Sequence, residues 1–232
     1  MEFDLVLRKR RNVYGFQDRP IPEVVLSRIL ENARHVPSPG FTQDFDLVVV
    51  RDPEKREKLA EAARQHEYAS YGGVVAEFIE KAPVVVVPCG NKSRFESKYG
   101  SPAEKNARIP WWLTDSAFSS LALILSAVQE GLAASFIGAI DDIMVVNTIK
   151  LPIDGSIIPL AIVPIGYRHP QERRFGQEMR KRVKALRRST NQIHWDEWVG
   201  RKHRSWGPEE SEKQKPDVYC DRVSRTWNAK FS

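Results

Sequence analysis

Apolar positions recur along the chain at two spacings. Val25, Leu26, Ile29, Leu30 and Ala33 keep a helical period. They predict a helix that opens near Pro22-Glu23, where proline suits a first turn, and stops before Pro37. Residues 2–11 read as a short helix, followed by a loop from Asn12 to Pro22. The run Leu47 to Val50 is short and β-branched, hence a strand, and Asp52-Pro53 starts a helix through about His66. Further strands are predicted at Pro83 to Val87, Ala134 to Ile137 and Ile157 to Ile165. Thr114 or Asp115 can cap a helix that Gly131 ends, and its centre, Ala117 to Leu125, is apolar or small nearly all round. Such a helix is central to a domain or to a subunit interface. Asp141 or Asp142 caps one more helix, closed after Lys150 by Pro152. Residues 89–112 read as a long polar loop ending in Trp111-Trp112, residues 170–188 as a basic surface helix, and residues 199–232 as a segment with little periodic signal. Strands alternating with helices, and near-continuous Val/Ile runs, predict an α/β or α+β sandwich whose sheet is covered.

The length of 232 residues suits one such domain with appendages, and 41% hydrophobic against 28% charged residues suits a packed core. No apolar run approaches the roughly 20 residues that span a bilayer. In the first twelve residues charges follow the apolar positions, the reverse of a secretory signal. Cys89 and Cys220 form no CxxC and read as reduced thiols of a cytoplasmic protein. Charge is uneven. Residues 168–232 hold 17 Lys+Arg and 9 Asp+Glu, while the preceding 167 residues hold 19 and 21. The basic end reads as a solvated helix face, with phosphate ligation by a few residues as the next reading. No nucleic-acid motif accompanies it. Dinucleotide, P-loop, zinc-protease and nucleophile-elbow motifs are absent, and the five histidines show no metal-ligand spacing. Chemistry therefore falls to a cofactor with its own reactivity.

Four segments in order resemble the nitroreductase family of FMN enzymes, over about residues 5–198. The first is Arg10-Arg11-Asn12-Val13-Tyr14-Gly15-Phe16. An arginine pair at a helix end offers bidentate donors to a phosphate. Tyr14 stands where the family often has a cation beside the flavin ring. The second is Pro37-Ser38-Pro39-Gly40-Phe41-Thr42-Gln43-Asp44-Phe45, similar to the family's loop that reaches the flavin edge from the partner subunit, with Phe41 in place of the usual Asn. The third is Gly131 to Ala139, where Ile137, Gly138 and Ala139 would bring backbone N–H groups to flavin N5. The fourth is Leu186-Arg187-Arg188 with Ile193 to Trp198; either Arg187 or Arg188 would join the phosphate, with Arg173-Arg174 as the alternative. Trp111 and Trp112 fall where the family varies its substrate lid, although core or dimer packing explains them equally.

The resemblance implies an α+β fold: a three-layer sandwich with a mostly antiparallel central sheet, in an intertwined homodimer. Residues 1–198 would form the FMN-binding domain and residues 199–232 an extension wrapping the domain or the partner. It also implies a ping-pong oxidoreductase taking hydride from NAD(P)H and passing it to a nitroaromatic, a quinone or a similar acceptor. No side-chain acid or base is assigned, and no metal, nucleic acid or membrane is expected. Two other readings remain open. The segment Gly40-Phe41-x-Gln43 is like the flavin-fragmenting dimethylbenzimidazole synthase branch, whose characteristic serine is Gly138 here. The substitutions at Tyr14 and Phe41 would also suit a non-enzymatic flavin- or deazaflavin-binding protein.

Overall fold

The computed structural model describes residues 1–64, 72–100, 109–170 and 181, with side chains of residues 72–75 excluded. The chain divides into two compact units, Met1–Gln177 and Glu178–Ser232. The expected basic helix at 170–188 and the extension at 199–232 lie outside the described residues, Lys181 apart.

Within the first unit the helices are α1 (Phe3–Lys9), α2 (Glu23–Ala33), α3 (Pro53–Arg64), α4 (Gly72–Lys81), α5 (Lys92–Tyr99), α6 (Trp111–Gln129) and α7 (Asp142–Ile149). The strands are β1 (Phe45–Val50), β2 (Val84–Asn91), β3 (Ala133–Ala134), β4 (Ile157–Pro159) and β5 (Val163–Gly166). They pair antiparallel throughout, in the order β1-β2-β5-β3, with β4 also on β2.

The alternation of side chains along β2 makes the fold three-layered. Val85, Val87 and Cys89 join one buried cluster with residues of α3, α4 and α7. Val84 and Val86 point the other way, to a second cluster with Leu26 and Ile29 of α2 and Leu123, Ile124 and Ala127 of α6. A strand buried on both faces must be apolar at successive positions, which is why 84–87 reads Val-Val-Val-Val. The expected α+β sandwich with an antiparallel sheet is therefore what this unit forms.

Several boundaries differ from expectation. The polar stretch after residue 89 is not one loop: β2 runs on to Asn91, and Asn91 Oδ1 accepts the Arg94 N–H at 3.0 Å to cap α5. The strand expected at Ile157 to Ile165 is two strands. Pro159 opposes Cys89 and Val163 opposes Val86, so three residues face two, the count of a β-bulge. The helix α4 was not anticipated, since Gly72-Gly73 and two valines at its start are poor helix formers; it buries Ala76, Phe78 and Ile79. Finally, α6 opens at Trp111 behind Pro110, three residues ahead of Thr114. Its 19 residues are long and apolar enough, by length and composition, to cross a bilayer, contrary to the reading of the sequence. Here the helix packs on the sheet with Asp115, Ser116, Ser119, Ser120 and Ser126 buried.

Candidate functional site

The expected site residues fall in two places. The first joins the N-terminal segment to the strand end after β3. Ser135, 2% exposed, accepts the Val13 N–H at 2.8 Å and donates to the Val13 carbonyl at 2.6 Å. Beside it the Phe136 N–H donates to Asn12 Oδ1 at 3.4 Å. Phe16 forms an antiparallel bridge with Arg168, the Gln17 N–H reaches the Tyr167 carbonyl, and the His169 N–H reaches the Gly15 carbonyl. The loop 10–17 is thus stitched on one side to residues 135–136 and on the other to 167–169.

This arrangement leaves donors uncovered. Arg10 follows α1 as its C-cap, half-buried, and its guanidinium has no acceptor among the described residues. Arg11 is exposed. Gly138 and Ala139 are exposed, and neither backbone N–H has an acceptor among the described residues. A Cβ built on Gly138 would meet only the Phe136 ring, at 3.7 Å, so the room beside this glycine faces outward. The Ile137 N–H corrects the expectation: it donates to the Ile162 carbonyl at 3.1 Å and is committed to the sheet. Tyr14 packs edge-on against Phe78, with ring centroids 5.2 Å apart, so its ring helps to close the core.

The second place is the loop 37–43. Positive φ shapes it: Gly40, Phe41 and Gln43 have φ of 54°, 58° and 53°, the left-handed region that favours glycine, so Phe41 and Gln43 are strained there. Ser38 Oγ accepts the Gln43 N–H at 2.7 Å and lies 3.1 Å from Thr42 Oγ1, which donates to the Pro39 carbonyl. The Ser38 hydroxyl therefore builds the loop rather than facing a ligand. Lys98 Nζ donates to the Gly40 carbonyl from the end of α5, and a Cβ on Gly40 would strike the Tyr99 hydroxyl. Pro37 is exposed, Pro39 half-buried, Gln43 half-buried, and Phe41 stands 75% exposed. These bonds run to α5 and within the loop; none reaches residues 10–14 or 135–139.

The tryptophans stand on a helix rather than on a loop. Trp111 and Trp112 form the first turn of α6; Trp112 is 4% exposed against Phe95, at 5.5 Å between ring centroids, and Trp111 packs on the same cluster. Gly90 makes room for this turn, since a Cβ there would meet the Trp112 carbonyl at 2.9 Å. Arg187, Arg188, Arg173 and Arg174 lie outside the described residues.

Three features escaped the sequence reading: the Ser135 link, the α5 brace at Lys98 and Tyr99, and a buried carboxyl pair. Asp44, just after the loop, is fully buried, and its backbone N–H faces Asp115 Oδ2 at 3.4 Å. Burial pushes both carboxyls above the usual range. The available signal was an aspartate inside an otherwise apolar helix.

Comparison with known proteins agrees with the fold. A provisionally named NADH dehydrogenase/NAD(P)H nitroreductase of Methanothermobacter thermautotrophicus is 27% identical over 69% of this chain and 74% of its own length. An iodotyrosine deiodinase of Haliscomenobacter hydrossis is 25% identical over 79% of this chain and 86% of its own. The crystal structure of a nitroreductase family protein from Clostridium difficile superposes with a TM-score of 0.67 at 22% identity, over 86% of this chain and all of that one. The profile of the Nitroreductase family matches residues 7–167, and the chain belongs to that family.

Proposed function

We propose that this nitroreductase-family protein is an FMN-dependent oxidoreductase that uses NAD(P)H and works as a homodimer. The observation that carries the cofactor is the half-buried Arg10 guanidinium, without an acceptor among the described residues, beside a loop tied through Val13 and Asn12 to residues 135–136, just ahead of the exposed Gly138 and Ala139. A cation and two free amides on one stitched scaffold suit a phosphate and the polar edge of a planar ring. The residues present fit FMN: Arg10 with Arg11 would hold its phosphate, Gly138 and Ala139 would donate to the ring edge, and Phe41 and Gln43 would border it. FMN, when bound, supplies two-electron transfer between reduced nicotinamide and an acceptor. The chain would hold the phosphate with the fixed charge of Arg10 and Arg11 and orient the ring by backbone donors. No side chain is assigned as an acid or base.

The dimer is supported by uncovered apolar side chains on two touching helices. Phe3 and Leu7 of α1 are 66% and 46% exposed, and Phe118 and Leu121 of α6 are 45% and 50% exposed. A patch of this kind marks a protein contact.

Purified protein should be yellow and release FMN on denaturation. It should oxidise NAD(P)H with a nitroaromatic, a quinone or a halogenated phenol; the last is suggested by the iodotyrosine deiodinase relative. Arg10→Ala should weaken FMN binding about 10-fold or more, the worth of one charge-assisted contact. A colourless protein that takes up no added FMN overturns the reading.

A further inference from the structure

The helix α5 is tied to the 37–43 loop and the residues just after it at both of its ends. At its start the Asn91 N–H donates to the Asp44 carbonyl at 2.8 Å, and Asn91 Nδ2 donates to Asp46 Oδ2 at 2.7 Å. At its far end Lys98 Nζ donates to the Gly40 carbonyl, and the Tyr99 hydroxyl occupies the space where a Cβ on Gly40 would stand. The helix in turn rests on α6. Phe95 is 3% exposed, with its ring centroid 5.5 Å from that of Trp112 and 5.0 Å from that of Tyr99. What α5 touches is a conformation that needs holding. Phe41 and Gln43 are strained at positive φ, and such strain persists only where the surroundings over-determine it. The Phe41 ring gains little burial in return, since it stands 75% exposed.

We propose that α5 is a splint for this loop, and that Lys98 and Tyr99 are positioning residues that hold the Phe41 ring where a planar aromatic ligand can lie against it. The peptide between Gly40 and Phe41 is pinned on both edges. Its oxygen, the Gly40 carbonyl, accepts from Lys98, and its N–H, that of Phe41, donates to the Ser38 carbonyl at 3.0 Å. A peptide is a rigid plane, so fixing both edges fixes the direction in which the Phe41 side chain leaves the loop. Tyr99 sets the fit. Its hydroxyl abuts Gly40 so closely that a side chain there would collide, and a φ of 54° asks for glycine independently. An exposed ring on a fixed peptide is a contact prepared before its ligand arrives, which spares the ordering cost of binding. Under the function proposed above, the ligand is the ring of FMN or of an aromatic acceptor beside it. That identity rests on the flavin reading, while the splint does not.

The test uses the full chain and follows amide hydrogen exchange at Phe41 and Gln43 beside urea unfolding. Lys98→Met keeps the aliphatic stem and removes the donor. It should speed exchange at both amides about 5-fold, the worth of one exposed charge-assisted bond, with the urea midpoint unchanged. Lys98→Arg keeps a charged donor and should return the rates to near wild type. Lys92→Met removes a cation from the other end of α5 and should leave them alone. Gly40→Ala should speed exchange about 10-fold or more, and adding Tyr99→Phe should recover part of that, because the hydroxyl is the nearest obstacle. Exchange unchanged in both Lys98→Met and Gly40→Ala overturns the splint. So does an equal effect from Lys92→Met, which would make it a matter of helix charge. FMN affinity and the KM for a nitroaromatic then separate the ideas. A loosened loop in Lys98→Met with weaker FMN binding supports contact with the flavin, and one with a raised KM alone supports contact with the acceptor. A loosened loop with neither change, in a protein that binds FMN, refutes the positioning role and leaves the flavin reading intact. A wild-type protein that takes up no FMN refutes the flavin reading, and the exchange rates still decide the splint.

Discussion

Ser135→Ala tests whether the candidate site is held together by one hydroxyl. Ser135 Oγ is the partner of both polar groups of Val13, accepting its N–H at 2.8 Å and donating to its carbonyl at 2.6 Å. Val13 and Ser135 are 3% and 2% exposed, so alanine would strand a donor and an acceptor away from water. Each buried group left unpaired costs about 1–3 kcal/mol, and a carbonyl tolerates this better than an N–H. The sum is about 2–4 kcal/mol, with the lower end applying if the loop 10–14 shifts out to hydration. Ser120→Ala is the control. Its hydroxyl donates to the Ser116 carbonyl one turn back in α6, at 2.6 Å, and that carbonyl keeps its helical partner when the hydroxyl goes. Loss there should stay under about 1 kcal/mol. Urea unfolding of the three proteins, fitted with a common slope, reads the difference directly. Relaxation of the loop would also displace Arg10 and Asn12, so FMN affinity should fall in Ser135→Ala and hold in Ser120→Ala. Equal destabilisation of the two variants would refute the argument, because it would mean the Val13 groups find other partners.

Two further substitutions separate core from function. Trp112→Ala removes a ring that is 4% exposed, so it should cost about 3–5 kcal/mol by thermal or urea melting while leaving the ranking of electron acceptors unchanged; a changed ranking at retained stability would restore the tryptophan to a lid. Leu121→Glu places a charge on the uncovered face of α6, where the side chain is 50% exposed, and should shift sedimentation from dimer to monomer with little loss of secondary structure; an unaltered dimer would move the interface elsewhere.

What the sequence disclosed and what it concealed divide along a physical line. Elements set by local periodicity were legible: α2 from its apolar stripe, β1 and β2 from unbroken valines, the end of α6 from Gly131 at φ 79°. The arginine pair at residues 10–11 is different: by itself it reads as a solvated helix end, and only the order of the four family-like segments singled it out. Features made by contact across long separations were not legible. The Ser135–Val13 link spans 122 positions and the Asp44–Asp115 pair 71, and neither a serine nor an aspartate carries a mark of its partner. The tryptophans show the same limit from the other side. Two aromatics after a polar stretch fit a lid and a core equally by composition. What decides is Gly90, whose missing side chain admits the first turn of α6 against β2, and that is a fact about two distant segments together. The same reasoning explains why Asp115 misled: as a helix cap it would have served its own helix, but α6 starts earlier, and an aspartate spared from capping duty is free to face Asp44 instead. A polar residue that local rules place wrongly is therefore the one to follow into the tertiary structure, since burying it without a long-range partner would cost more than the fold could bear.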